Sequence, residues 1–107
     1  MNILAVTACP SGVAHTYMAA EALTKAAKLK GHSIKVETQG SIGIENIITA
    51  QDVTNADIVV LTKDMAIKNK ERFAGKLIIN VGVGDAVRKA DIIVAKAEEI
   101  FAQKGKK

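Results

Sequence analysis

Apolar residues follow two rhythms along this chain. Short runs rich in β-branched residues, Asn2–Thr7 (NILAVT), Ser33–Thr38 (SIKVET), Asp57–Thr62 (DIVVLT) and Lys76–Val81 (KLIINV), read as four strands. Between them, apolar positions recur every three or four residues, as Val13, Tyr17, Ala20, Leu23 and Ala27 do. That spacing predicts a helix ending at Gly31, a residue suited to a helix C-cap. Gln39–Gly43 (QGSIG) reads as a glycine-punctuated loop. Thr49 or Asp52 offers a cap for a short helix, and about Met65–Phe73 reads as a short basic helical segment. Asp85 or Asp91 is the expected cap of a closing helix, with Ile93, Ala97, Ile100 and Phe101 as its apolar stripe.

Strands alternating with helices predict an α/β fold, a small open four-stranded parallel sheet of the doubly wound, Rossmann-like kind with helices on both faces. Right-handed crossovers bring every strand-to-helix loop to one edge of such a sheet. Cys9–Thr16, Gln39–Gly43, Lys63–Met65 and Val81–Gly84 should therefore converge at the carboxyl edge, where open α/β sheets bind ligands.

A length of 107 residues, about half of them apolar, suits one core and one domain spanning 1–107, with an expected frayed end from about residue 103. No apolar run approaches the ~20 residues of a membrane-spanning helix, and Met1–Pro10 lacks the basic start of a signal peptide. One cysteine excludes an internal disulfide, and these features together point to the cytoplasm. Charge is uneven: residues 1–62 carry four Lys against five acids, and residues 63–107 carry eleven Lys or Arg against six. Three aromatic residues leave little for base stacking, so nucleic acid is not the expected partner. A basic rim of Lys63, Lys68, Lys70 and Arg72 could instead steer an acidic protein.

The chemistry concentrates at the first loop. Cys9 stands at the exit of the first strand, followed by Pro10, Ser11 and Gly12 and then a helix start. Unpaired N–H groups and the positive end of a helix dipole favour a thiolate over a thiol, and the same groups hold a phosphate. Pro10 stiffens the strand exit, Gly12 admits close backbone approach, and Ser11 and Thr16 supply hydroxyls. A lone cysteine at a strand end is also commonly a small buried hydrophobe, and this loop context argues against that reading. Position 12 is Gly, so a dithiol redox motif is absent. A cysteine phosphatase, the alternative function, wants an arginine clamp six residues after the nucleophile, and His15 occupies that place. It also wants an acid for the leaving group, for which Asp64 or Asp85 could be offered. An aspartyl-phosphate receiver would need a carboxylate at the carboxyl end of a strand, whereas Asp57 lies at the amino end of its strand. Capture of a phosphoryl group fits the loop better than hydrolysis does, and no metal or cofactor is called for.

The stretch ACPSGVAHTYMAAEAL closely resembles the active-site signature of fructose-family enzyme IIB components of the bacterial phosphoenolpyruvate-dependent sugar phosphotransferase system. KVETQGSIGIEN, ADIVVLTKD and ERFAGK extend the similarity over nearly the whole chain; Ser11 stands where the signature usually has Thr. The resemblance implies a protein-phosphohistidine–sugar phosphotransferase. Cys9 would accept a phosphoryl group from a phosphohistidine of enzyme IIA and pass it to fructose or a related sugar held by membrane enzyme IIC. The backbone of Pro10, Ser11, Gly12, Val13, Ala14, His15 and Thr16 would form the phosphate cradle, and the protein would meet the inner face of the membrane through enzyme IIC.

Overall fold

The computed structural model describes residues 1–8, 13–40, 43–64 and 66–105. Strands β1 (Asn2–Ala8), β2 (Ser33–Gly40), β3 (Gly43–Glu45), β4 (Ile58–Thr62) and β5 (Ile78–Val81) form one sheet in the order β3-β2-β1-β4-β5. β1, β2, β4 and β5 run parallel, and β3 lies antiparallel to the end of β2. The sheet is therefore mixed and five-stranded, where the sequence pattern suggested four parallel strands. The added strand arises because β2 continues through Gln39 and Gly40, and Gly43 (φ 125°) takes a backbone conformation open to glycine, so that Gly43–Glu45 pairs with Thr38–Gly40. Part of the expected Gln39–Gly43 loop is thus sheet.

Alternation along each strand builds two cores. Ile3 and Ala5 of β1, Val36 of β2, Ile58 and Val60 of β4 and Ile79 of β5 face the helices α1 (Val13–Leu29), α3 (Val83–Arg88) and α4 (Ala90–Gly105), meeting Leu23, Ala27, Val83, Ile93, Val94 and Ala97. Leu4, Val6, Val59 and Leu61 face the other way, onto Ile48, Ala56 and Phe73, with Val53 of α2 (Ala50–Asn55) alongside. Continuous apolar strands are those a sheet covered on both faces requires.

Local signals explain the helix ends. Gly31 (φ 79°) closes α1 in a Schellman turn, with His32 N–H donating to Ala27 O at 3.0 Å and Gly31 N–H to Lys28 O at 3.0 Å. Thr49 and Asp52 share the start of α2 as a capping box: Thr49 Oγ1 accepts from Asp52 N–H and the Asp52 carboxylate accepts from Thr49 N–H. The closing helix is two helices, broken at Lys89, and the expected caps Asp85 and Asp91 lie inside their first turns. Gly82 precedes α3 without a side-chain cap, and Asp64 from the β4 loop supplies the acceptor instead, taking Val83 N–H at 2.6 Å. Ile93 and Ala97 are buried as the stripe requires, with Ile100 and Phe101 half-buried. The expected basic helix over about Met65–Phe73 shrinks to one 3-10 turn, Lys70–Phe73. Left-handed Asn69 (φ 59°) reverses the chain before it, which lets Phe73 enter the core.

Candidate functional site

The β1–β4 neighbourhood is the topological switch point of the sheet, because the chain leaves β1 toward β2 on one side and later returns to β4 on the other. The end of β1 and the start of α1 lie there. Cys9, Pro10, Ser11 and Gly12 lie outside the described residues. Val13 and Ala14 open α1, His15 is exposed on it, and Thr16 is fully buried. Thr16 Oγ1 has no hydrogen-bond partner among the described residues. α1 also differs from the other helices in charge. Its first turn carries no acid, whereas those of α2, α3 and α4 carry Asp52, Asp85 and Asp91. A helix start lacking its own carboxylate keeps its N–H groups and dipole free for an external anion.

Around this point the carboxyl edge is rich in buried polar side chains. Thr7 Oγ1 donates to Thr16 O at 3.1 Å, tying the end of β1 to α1. Thr62, the last residue of β4, accepts from Ala8 N–H at 2.9 Å. Glu37 is 1% exposed and forms a two-pronged ion pair with Arg72, at 2.8 Å through Nη1 and 2.6 Å through Nη2. Ile48 N–H and Gln39 Nε2 also donate to the Glu37 carboxylate. Burial pushes Glu37 up, but the Arg72 hydrogen bonds and the Ile48 and Gln39 donors outweigh it and hold the carboxyl below its ordinary range. Gln39 then reaches the loop after β4, accepting from Lys68 N–H at 2.9 Å and donating to Lys68 O at 3.1 Å.

These contacts revise several expectations. Arg72 belongs to the interior: its guanidinium is occupied by Glu37 and Ile48 O and lies over the Phe73 ring, so it is not part of a steering rim. Lys63, Lys68 and Lys70 remain exposed; Lys63 and Lys70, with Asp64 and Asn80, line an open cavity of about 370 Å3 at the carboxyl edge. Asp64, offered as a proton donor, is engaged as the acceptor at α3. Asp57 accepts from Asn2 N–H at the amino edge, far from the switch point. His32 is structural, bonded to Glu98 of α4, and Tyr17 donates its hydroxyl to Glu45. Sequence reasoning missed Thr7, Glu37, Gln39 and Thr62 as site-shaping residues. The available signal was polar side chains placed at the ends of otherwise apolar strands.

A sheet of this order, with helices packed on both faces, defines an open α/β domain with a switch point between β1 and β4. A family model described as "PTS system, Lactose/Cellobiose specific IIB subunit" matches residues 4–103. The "PTS system fructose-like EIIB component 2" of Escherichia coli K12 is 66% identical over 102 residues, covering 95% of this chain and 96% of that protein. The "Fructose-like PTS system EIIBC component" of the same organism is 42% identical over 90% of this chain, which spans 20% of that longer protein. The solution structure of an enzyme IIB subunit of the PTS system from Escherichia coli K12 superposes with a TM-score of 0.90 at 38% identity, covering 98% and 97% of the two chains. The chain belongs to the enzyme IIB family of the sugar phosphotransferase system, among its fructose-type members. It is a phosphoryl-carrier subunit of such a system, with a phosphotransferase role exercised together with the system's other components. No described helix is long and apolar enough to cross a membrane.

Proposed function

We propose that Cys9 carries the phosphoryl group, receiving it from a phosphohistidine of enzyme IIA and delivering it to fructose or a fructose-like sugar bound by membrane enzyme IIC. The observation that carries this reading is the start of α1 at the switch point, free of first-turn acids and directly following residues 9–12 in a chain of the enzyme IIB family. In the first half-reaction the thiolate attacks phosphorus; the S–P bond forms, the P–N bond breaks, and the imidazole leaves with the electron pair. In the second, a sugar hydroxyl attacks; the O–P bond forms, the S–P bond breaks, the thiolate returns, and the hydroxyl proton passes to water or a base beside the sugar. The cradle of Pro10, Ser11, Gly12, Val13, Ala14, His15 and Thr16 offsets the phosphoryl charge through backbone N–H groups, with Ser11 and Thr16 hydroxyls and the His15 ring as side-chain donors. His15 in place of an arginine clamp leaves the group transferable, so His15→Arg should raise hydrolysis of phosphocysteine relative to onward transfer.

In this reading residues 1–107 form a single enzyme IIB domain that works in the cytoplasm, at the inner face of the membrane through enzyme IIC. The names of the fructose-like relatives support the choice of sugar, and the longer EIIBC relative supports a partnership with enzyme IIC. The test is incubation with phosphoenolpyruvate, the general phosphotransferase proteins and a matching enzyme IIA. A mass gain of one phosphoryl group is expected, lost in Cys9→Ser and Cys9→Ala. A gain that survives both substitutions removes Cys9 from the role.

A further inference from the structure

Residues 9–12 join two pinned stems. On the helix side, the buried Thr7 hydroxyl donates to Thr16 O at 3.1 Å. On the strand side, Ala8 meets one side chain twice. Its N–H donates to Thr62 Oγ1 at 2.9 Å, and the single proton of that hydroxyl lies between Ala8 O at 3.2 Å and Val6 O at 3.5 Å, with Ala8 O the nearer acceptor. Ala8 is fully buried and Thr62 is 2% exposed, so water does not compete for either bond.

Topology explains why a side chain takes this place. The parallel register of β1 and β4 runs from Ile3–Ile58 to Val6–Leu61 and ends there. On its other side β1 stays paired one residue from the loop, with Ala8 opposite Gln39. At the switch point the chain must leave the sheet, and Ala8 faces β4 with both an N–H and a C=O beyond the last ladder pair. A hydroxyl both accepts and donates, so a single threonine can close both. A valine of the same shape would leave both buried groups unmet.

We propose that Thr62 is a positioning residue for the chemistry of Cys9. Its two-bond clasp fixes both peptide groups flanking Ala8, the second of which joins it to Cys9, and so sets where the thiol stands relative to the start of α1. The proposal rests on the carrier reading of Cys9, and it assigns to β4 a role beyond that reading.

The test compares Thr62→Val, which removes the hydroxyl at nearly constant volume, with Thr62→Ser, which keeps it. Two quantities are followed in protein with a native melting transition: the pH profile of Cys9 alkylation by iodoacetamide, and the rate of phosphoryl uptake from phosphorylated enzyme IIA at saturating donor. Thr62→Val should displace the alkylation profile and slow uptake by about tenfold, while Thr62→Ser stays within about twofold of wild type in both. A Thr62→Val protein with the wild-type profile and rate overturns the proposal, as does a Thr62→Ser protein as impaired as Thr62→Val. If Thr62→Val does not fold, Thr62→Ala is compared with Thr62→Ser by the same readouts. In the wild-type protein, exchange of the Ala8 amide hydrogen at the free-peptide rate would also overturn it. Alkylation needs no phosphoryl donor, so the two ideas fail separately. A wild-type protein that never gains a phosphoryl group at Cys9 removes the carrier reading; a phosphorylated wild type matched by Thr62→Val removes only the role of Thr62.

Discussion

At the amino edge of the sheet, polar contacts lie within reach of solvent. Asp57 accepts from Asn2 N–H at 2.7 Å, Lys30 pairs with Glu98 at 3.5 Å, and Lys35 pairs with Asp52 at 2.6 Å with both side chains about a third exposed. At the carboxyl edge, by contrast, polar groups are taken out of water. The buried polar residues among those described are Thr7, Thr16, Glu37, Thr38, Gln39 and Thr62, and each stands at the carboxyl end of a strand or in the opening turns of α1. Desolvating such groups is costly unless partners are in place. Thr7, Glu37, Gln39 and Thr62 have them, whereas the Thr16 and Thr38 hydroxyls have none among the described residues. This small domain thus accepts that cost at the carboxyl edge, beside the place proposed for the carrier chemistry.

The sharpest way to break this contrast is to open the buried pair. Arg72→Met leaves the Glu37 carboxylate in the interior with only Ile48 N–H and Gln39, and urea unfolding should show a loss of about 3 kcal/mol. A loss below about 1 kcal/mol would put this pair on a par with surface ion pairs and dissolve the distinction. Gln39→Ala, which frees both backbone groups of Lys68, should cost about 1–2 kcal/mol by the same measurement. Thr49→Ala removes one half of the α2 capping box, away from the buried network, and should lower stability by about 1 kcal/mol in a thermal melt.

The smallest effect belongs to the exposed pair. The Lys35 hydrogen bond, with those from Thr49, lowers Asp52 from 3.8 to about 2. A carboxyl whose folded value is depressed adds stability above its unfolded value and loses it as pH falls through the folded one. The gap between wild type and Lys35→Ala should therefore be fully present above 3.8 and vanish as pH falls through about 2. It should be small throughout, and molar salt should nearly erase it. A salt-resistant gap as large as that of Arg72→Met would mean that the two edges do not differ in kind.

The legible part of the fold is the part written locally. NILAVT, SIKVET, DIVVLT and KLIINV all became strands, Gly31 ended α1, and the cysteine loop fell between β1 and α1. Glycines in QGSIG suggested a loop, because glycine punctuates both turns and strand ends, and pairing with Thr38–Gly40 made part of the segment a strand. The basic stretch before Phe73 carried a helical look that Asn69 and the core position of Phe73 overrode. Of the proposed site residues, Cys9 and its neighbours stand out by local pattern, whereas Thr62 read only as the end of a strand.

What the chain determined by itself was which residues alternate, which recur at helical spacing, and that a lone thiol precedes a helix start; periods of two and 3.6 are carried by neighbouring residues. Tertiary structure alone decided that Glu37 meets Arg72, that Gln39 holds Lys68, and that Thr62 closes on Ala8. Those partners lie 35, 29 and 54 residues apart, and they meet only because crossovers set the strand order and the order sets the register. A buried hydrogen bond depends on that placement to within a few tenths of an ångström, and no local pattern encodes it.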